Sequence, residues 1–352
     1  MADGTVAPEP QTPGDTQLTQ LAQERFNALM ARNPVYASFL GLHEHDGELG
    51  DASRDAFLGD VQATRDYQRA VEQIDPASLS PYHAMERELA LFAARREIFD
   101  ADVHGVWERR ASASDEIGDG IFLLFAREGR PLADRLEAIA SRLEAAPLHL
   151  KQSRSRIGGA RPPVRLWNEI ELEAVESLPS MFDEVLGAAR KELGDSHSVT
   201  RRIEKGAAAT RVGLDEYATW VKTQIERGVD EFALGSADFD TLIGLRAFDG
   251  LSADDILALG EAQLTAERAA RQAVARHIDP SATEREVVDR VKSEYPVDFA
   301  SALDEYRSAM AQSRQFIVDH DLATIPQGET LRVIETPEYM RGVVPFAAYF
   351  SP

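Results

Sequence analysis

The sequence predicts an all-α protein, an array of antiparallel helices with a small β element at the C-terminal end. Three observations lead there. Apolar residues recur at three- and four-residue steps through most of the 352 residues. Helix-opening residues stand where those stripes begin: Ser80-Pro81, Ser252 with Asp255, and Thr283 with Glu286. The stretch 329–352 reads differently. Leu331, Val333 and Ile334 form a β-favouring run, Pro337 breaks it, and Val343, Val344 and Phe346 to Phe350 begin another.

Taken in order, residues 1–15 are rich in Pro and Gly and read as a disordered tail. A first helix from near Asp15 to Asn33 carries Leu18, Leu21, Phe26 and Leu29 on one face, and Asn33-Pro34 interrupts it. The segment Val35 to Leu42 leads into a loop, GLHEHDGELGD, and Asp51 is placed to cap a second helix with Phe57, Val61, Gln68 and Val71 on one side. A third helix follows Ser80, with Tyr82, Met85, Leu89, Phe92 and Phe99 in register. Beyond an irregular stretch and the apolar run Ile121 to Phe125, another helix starts at Pro131, and a separate piece runs from about Leu148 to Gly158-Gly159. A long helix from about Val164 should kink at Pro179. Later stripes run from Leu214 to Phe232, from 252 to about 276, and from Pro296 to His320 with Phe299, Leu303, Tyr306, Met310 and Ile317 aligned. The expected division is a tail over 1–15, a helical domain over 16–328 and a strand-forming segment over 329–352.

The charge balance is 38 − 60 = −22. That argues against nucleic acid and anionic membrane surfaces, which need clustered positive charge. Lysine stands only at 151, 191, 205, 222 and 292, so the positive charge is nearly all arginine. Such a surface fits salt adaptation, and a GC-rich genome gives the same bias. The absence of cysteine removes disulfides, thiolate metal sites and a cysteine nucleophile. No run approaches the roughly 18 apolar residues of a membrane span, and a cytoplasmic location is expected.

His43-Glu44-His45-Asp46 is the densest set of metal-ligating side chains. His43 and His45 can share an ion with Asp46, but Gly47 stands where a helical zinc motif needs its second histidine. A polar loop that orders itself around Asp46, or that lines a cleft, is the other reading. Glu169, Glu173 and Glu176 share a helix face and read as a solvated surface, with Arg154, Arg156, Arg161 and Arg165 as intramolecular counter-charges. Tyr339, Arg341 and Tyr349 supply hydroxyl and guanidinium donors suited to a peptide carbonyl or carboxylate. No nucleophile elbow and no phosphate-cradling glycine loop occurs.

Several ordered passages resemble the family catalogued as domain of unknown function 885. They are NPVYASFLGLHEHDG, IDPASLSPYHAMERELA, RPLADRLEAIASRLEAAPLHL, DEFALGSADFD, LSADDILALGEAQL and ETPEYMRGVVPFAAYFSP. The series runs from about Gln23 to the last residue. The resemblance implies a mostly helical, zinc metallopeptidase-like protein acting on peptides or related amides. Family members carry a His-Glu-x-x-x-x-His-type zinc helix beyond the passage that matches PFAAYFSP. The chain is therefore expected to be the N-terminal portion of such an enzyme, inactive alone, with no cofactor of its own and zinc only in the complete protein. Tyr339, Arg341 and Tyr349, with Asp46 on the far side, would form one wall of the substrate cleft. Expected partners are a peptide-like substrate, and either a chain supplying the C-terminal half or a second copy through self-association. A stand-alone binding module or pseudoenzyme, or one subunit of a split hydrolase, remains the alternative.

Overall fold

The computed structural model describes residues 10, 12–127, 129–246, 250–328, 330–336 and 347–349. Its first helix, α1 (Pro13–Arg32), opens at Thr12, whose hydroxyl accepts from the Asp15 backbone while the Asp15 carboxylate accepts from Thr12 N–H. Asp15 is fully buried, and its other oxygen accepts from Ser80 N at 2.9 Å, which ties the start of α1 to the start of a later helix. Pro34 ends α1 and begins α2 (Pro34–Phe39). The α3 helix (Arg54–Glu72) is capped by Ser53, not Asp51; the Asp51 carboxylate instead accepts from Ser53 N at 2.8 Å. The α4 helix (Pro81–Phe99) buries His83, Arg87, Leu91 and Ala94, while Met85 and Leu89 of the expected stripe face outward. That rotation is possible because the polar members find partners: Arg87 donates to Val71 O and Glu72 O, and His83 lies beside Ser80 and Asp15.

Most of the core belongs to the next five helices. These are α5 (Ala113–Ala126), α6 (Leu132–Arg154), α7 (Arg165–Ser177), α8 (Pro179–Leu193) and α9 (Ser198–Glu226), followed by the short α10 (Ser236–Leu245). Ile117, Ile121, Leu136, Ile139, Leu143, Phe182, Ile203 and Val221 form one continuous cluster among α5–α9. Leu18, Val71, Ile74 and Leu91 form a smaller one among α1, α3 and α4. In place of a kinked long helix, α7 ends at Ser177 with Leu178 as its cap and Pro179 begins α8, since proline lacks the N–H that would continue the ladder. Pro147 behaves in the opposite way and lies inside α6, which runs unbroken from Leu132 to Arg154. The carbonyl that Pro147 leaves without its helical donor is that of Leu143, and Thr210 Oγ1 of α9 donates to it at 3.0 Å.

The chain divides into two compact units, the second being 251–336. The expected helical span 16–328 therefore falls in both. The second unit holds α11 (Ala253–Ile278), α12 (Glu284–Ser293) and α13 (Phe299–Asp319). Capping boxes Ser252/Asp255 and Thr283/Glu286 open α11 and α12, as the spacing predicts. Its only buried apolar side chains among the described residues are Ala275 and Val287.

The expected β element is not found among the described residues. Residues 331–336 and 347–349 form no strand, and the other members of the expected runs lie outside the described residues. Leu331 and Ile334 are more than half exposed, and Val333 O accepts from Arg307 instead of a neighbouring strand. The single bridge among the described residues joins Val164 to Val229, through Arg165 N to Val229 O and Val229 N to Pro163 O, each 2.9 Å. No helix among the described residues is long and apolar enough to cross a membrane.

Candidate functional site

The loop that the sequence singles out is held from below. Asp46 is buried and accepts from Ser38 Oγ at 2.6 Å through Oδ1. Its Oδ2 lies 2.5 Å from Arg130 Nη1 and 2.9 Å from His43 Nδ1. Ser38 Oγ in turn accepts from Arg142 Nη2 at 2.7 Å. The Arg142 side chain is fully buried, donates also to Gly120 O, and is drawn down to about 10 by burial, so it remains a cation at neutral pH. The structure thus places Asp46 in an inward network that fixes α2, the loop and α6 together. His45 points to Glu48, 3.2 Å away, and not to the carboxylate His43 uses. No three His, Asp or Glu side chains among the described residues are grouped to hold a metal ion. Tyr349 is 70% exposed; Tyr339 and Arg341 lie outside the described residues. Glu169, Glu173 and Glu176 are solvated, and Arg161 and Arg165 pair with Glu108 and Asp230.

The same loop, further along, walls a cleft of about 720 Å³, a size typical of small-molecule sites. The end of α1, residues 47–51, α3 and α6 contribute Arg32, Glu48, Asp51, Asp60, His149 and Gln152. Gly50 permits the loop to close on α1. Its φ is +75°, and a Cβ there would meet Arg32 O at 2.8 Å. Arg32 Nε lies 2.8 Å from Asp60 Oδ1, yet burial still raises the Asp60 carboxyl against that neighbour. His149 is a buried polar group of the lining. Burial pulls its imidazole down to about 4, outweighing a hydrogen bond with the Gly50 backbone, and Nδ1 has no hydrogen-bond partner. An imidazole of that basicity is neutral at physiological pH and is a weak proton acceptor. The lining combines apolar side chains such as Leu49 and Leu148 with carboxylates, the Arg32 guanidinium and this neutral imidazole.

A second buried carboxyl sits in the core. Glu171 of α7 accepts from Ser114 N at 3.1 Å and Ser114 Oγ at 2.6 Å, at the start of α5. Tyr217 of α9 lies against it and receives Ala113 N at 3.3 Å. Burial raises the Glu171 carboxyl to about 7, in spite of the Ser114 hydrogen bonds. The group joins three helices.

Sequence reasoning passes over His149, although a signal exists. Arg135, Arg142, His149 and Ser153 are all buried on α6, the first three at seven-residue spacing along the edge of its apolar stripe. Arg135 donates to Leu124 O and Phe125 O, Arg142 to Gly120 O, and His149 reaches the cleft. Polar groups repeating every seventh position beside a core stripe mark a polar seam, not a solvated face.

The fold defines a mostly helical protein with an open cleft beside the end of α1. The chain belongs to the family described as a bacterial protein of unknown function (DUF885), whose pattern matches residues 34–352. Among solved structures it is similar to one described as a "putative lipoprotein of unknown function" from Shewanella oneidensis, with a TM-score of 0.64 and 18% identity over 91% of this chain. At that identity the likeness shows the fold alone. The chain spans 61% of that protein's length. A comparison with curated proteins gives no match.

Proposed function

We propose that this chain forms the helical body of a zinc-dependent hydrolase of peptides or related amides, and that its cleft binds polar groups without transferring protons. The observation that carries the second part is His149, buried, neutral at physiological pH and unpartnered at Nδ1 in the wall of the cleft. The first part rests on the activity that the resemblance of the ordered passages implies; the family match over residues 34–352 supports the family and carries no activity. In this reading Asp46 steadies the loop that walls the cleft, while Tyr339, Arg341 and Tyr349 supply donors to a peptide-like substrate. Zinc and the base that activates its water belong to a motif not found in this sequence.

The test is chelator-sensitive cleavage of a peptide library. The 352-residue chain with added zinc should show none. A family protein that contains the matching region followed by a zinc motif should show turnover that a chelator removes. Turnover by this chain alone overturns the division of labour. No amide cleavage by the longer protein overturns the hydrolase reading and leaves a binding module, which the cleft alone supports.

A further inference from the structure

The cleft beside the end of α1 offers more acceptors than donors. Three carboxylates line it, and each has one oxygen engaged. Glu48 Oε1 lies 3.2 Å from His45 Nδ1, Asp51 Oδ1 accepts from Ser53 N at 2.8 Å, and Asp60 Oδ1 lies 2.8 Å from Arg32 Nε. The second oxygen of each has no partner among the described residues. Arg32 is the one lysine or arginine of the described lining, and it answers Asp60. Glu48 and Asp51, both exposed, are left without a guanidinium or ammonium. A further acceptor is buried in the wall. His149 is 4% exposed, and its Nδ1 has no partner. Its hydrogen bond with the Gly50 backbone favours the protonated ring, so the ring is the donor and makes that bond through Nε2. Nδ1 then keeps a lone pair with no donor, a costly state for a buried acceptor and one that a ligand can relieve.

We propose that this cleft binds a primary ammonium carried on a short apolar chain, with Glu48, Asp51 and His149 Nδ1 as the acceptors of its N–H groups. The charges select a cation, because an anion would meet two carboxylates that no cation of the lining answers. The free oxygens select an ammonium over a guanidinium. A guanidinium is a planar fork matched to both oxygens of one carboxylate, and here each carboxylate has only one oxygen to spare. An ammonium directs its three donors to three separate acceptors. The imidazole is neutral at physiological pH, so it receives a cation without repelling it. Ala31, Ala56 and Leu148 supply apolar lining for the methylene chain, and the net charge of −22 draws cations to the surface. A free alkylamine and the lysine side chain of a peptide share this chemistry. The inference deepens the reading of the cleft as a site for polar groups, and rests on it.

The test is a titration of the 352-residue chain, labelled with ¹⁵N-histidine, at neutral pH. The chain has eight histidines, and the His149 signals are those missing from His149→Gln. The probes are n-butylamine, butan-1-ol and butyrate. Butylamine should bind saturably and shift the His149 Nδ1 signal towards that of a hydrogen-bonded acceptor; butyrate should do neither. Glu48→Gln with Asp51→Asn, two exposed and nearly isosteric changes, should weaken butylamine about 10-fold or more and leave butan-1-ol unaffected. A lysine tripeptide blocked at both ends separates the sources. Binding tighter than butylamine assigns the ammonium to a peptide, and weaker binding assigns it to a free amine. No saturable binding of butylamine overturns the proposal. So does equal affinity for butylamine and butan-1-ol, equal affinity in the double variant, or binding that leaves the Nδ1 signal in place. Saturable butan-1-ol binding without preference for the amine sinks the cation and spares the reading of the cleft as a polar site. Peptide cleavage by the longer family protein is measured separately, so its failure leaves the amine site standing.

Discussion

His149 and Glu171 are two buried ionisable groups displaced in opposite directions, and their effects on stability oppose each other. Glu171 is raised from 4.5 to about 7. Its stabilising effect is complete below pH 4.5 and is lost as pH rises towards 7, because only the unfolded chain ionises it in that window. His149 is lowered from 6.5 to about 4. Its effect is complete above pH 6.5 and is lost as pH falls towards 4. Each displacement is worth on the order of 3 kcal/mol. Between pH 4.5 and 6.5 the two slopes cancel, so this pair leaves the wild-type urea midpoint level. Glu171→Gln should unmask a loss of stability on acidification, and His149→Gln a loss on raising the pH. Urea midpoints measured at pH 4.5, 5.5 and 6.5 for the three proteins check this, and parallel profiles would refute it. Asp46 makes a different prediction. Asp46→Ala leaves Ser38, Arg130 and His43 without their common acceptor and should cost about 1–3 kcal/mol in chemical denaturation at neutral pH.

At the scale of elements, α6 and α9 approach closely where Gly206 faces Leu143. A Cβ at 206 would meet Leu143 Cβ at 2.9 Å and its carbonyl carbon at 3.3 Å, neither of which can move away as a flexible tip would. Gly206→Ala should therefore destabilise by about 1–3 kcal/mol through overpacking, despite the better helix former. Gly187→Ala on α8 meets nothing within 4 Å and should stabilise by up to about 1 kcal/mol. Thermal melts of the two variants, shifted in opposite directions, are the check. Much of this architecture is legible in the sequence, because stripes such as Leu136-Ile139-Leu143 and the capping pairs at 252 and 283 act locally. α5 is not: it is strongly apolar, buried on most sides and carries Gly118 and Gly120, so in the sequence it stands out only as the apolar run Ile121 to Phe125. Nor is the rotation of α4, where a buried His and Arg depend on acceptors distant in sequence, Asp15 and Val71 O. The cleft is legible only in part. The loop is conspicuous for His43, His45 and Asp46, but the part of it that lines the cleft is 47–51, and only folding brings His149 and Gln152 of α6 to the end of α1.

For the whole molecule, the contrast between the units sets the order of opening. The first has the large cluster among α5–α9, and the second has only Ala275 and Val287 buried among its described apolar side chains. The free energy of local opening follows buried apolar contact. Limited proteolysis of the chain alone should therefore cut first within 251–336, with fragments identified by mass spectrometry; first cuts inside α5–α9 would contradict this. The hydroxyl that answers Pro147 has a consequence on an evolutionary scale. Thr210 on α9 supplies the donor that Pro147 withholds from the Leu143 carbonyl, so neither position is free to drift by itself. Across related chains, serine or threonine at 210 should accompany proline at 147, and lineages that regain an ordinary residue at 147 should be released to lose the hydroxyl.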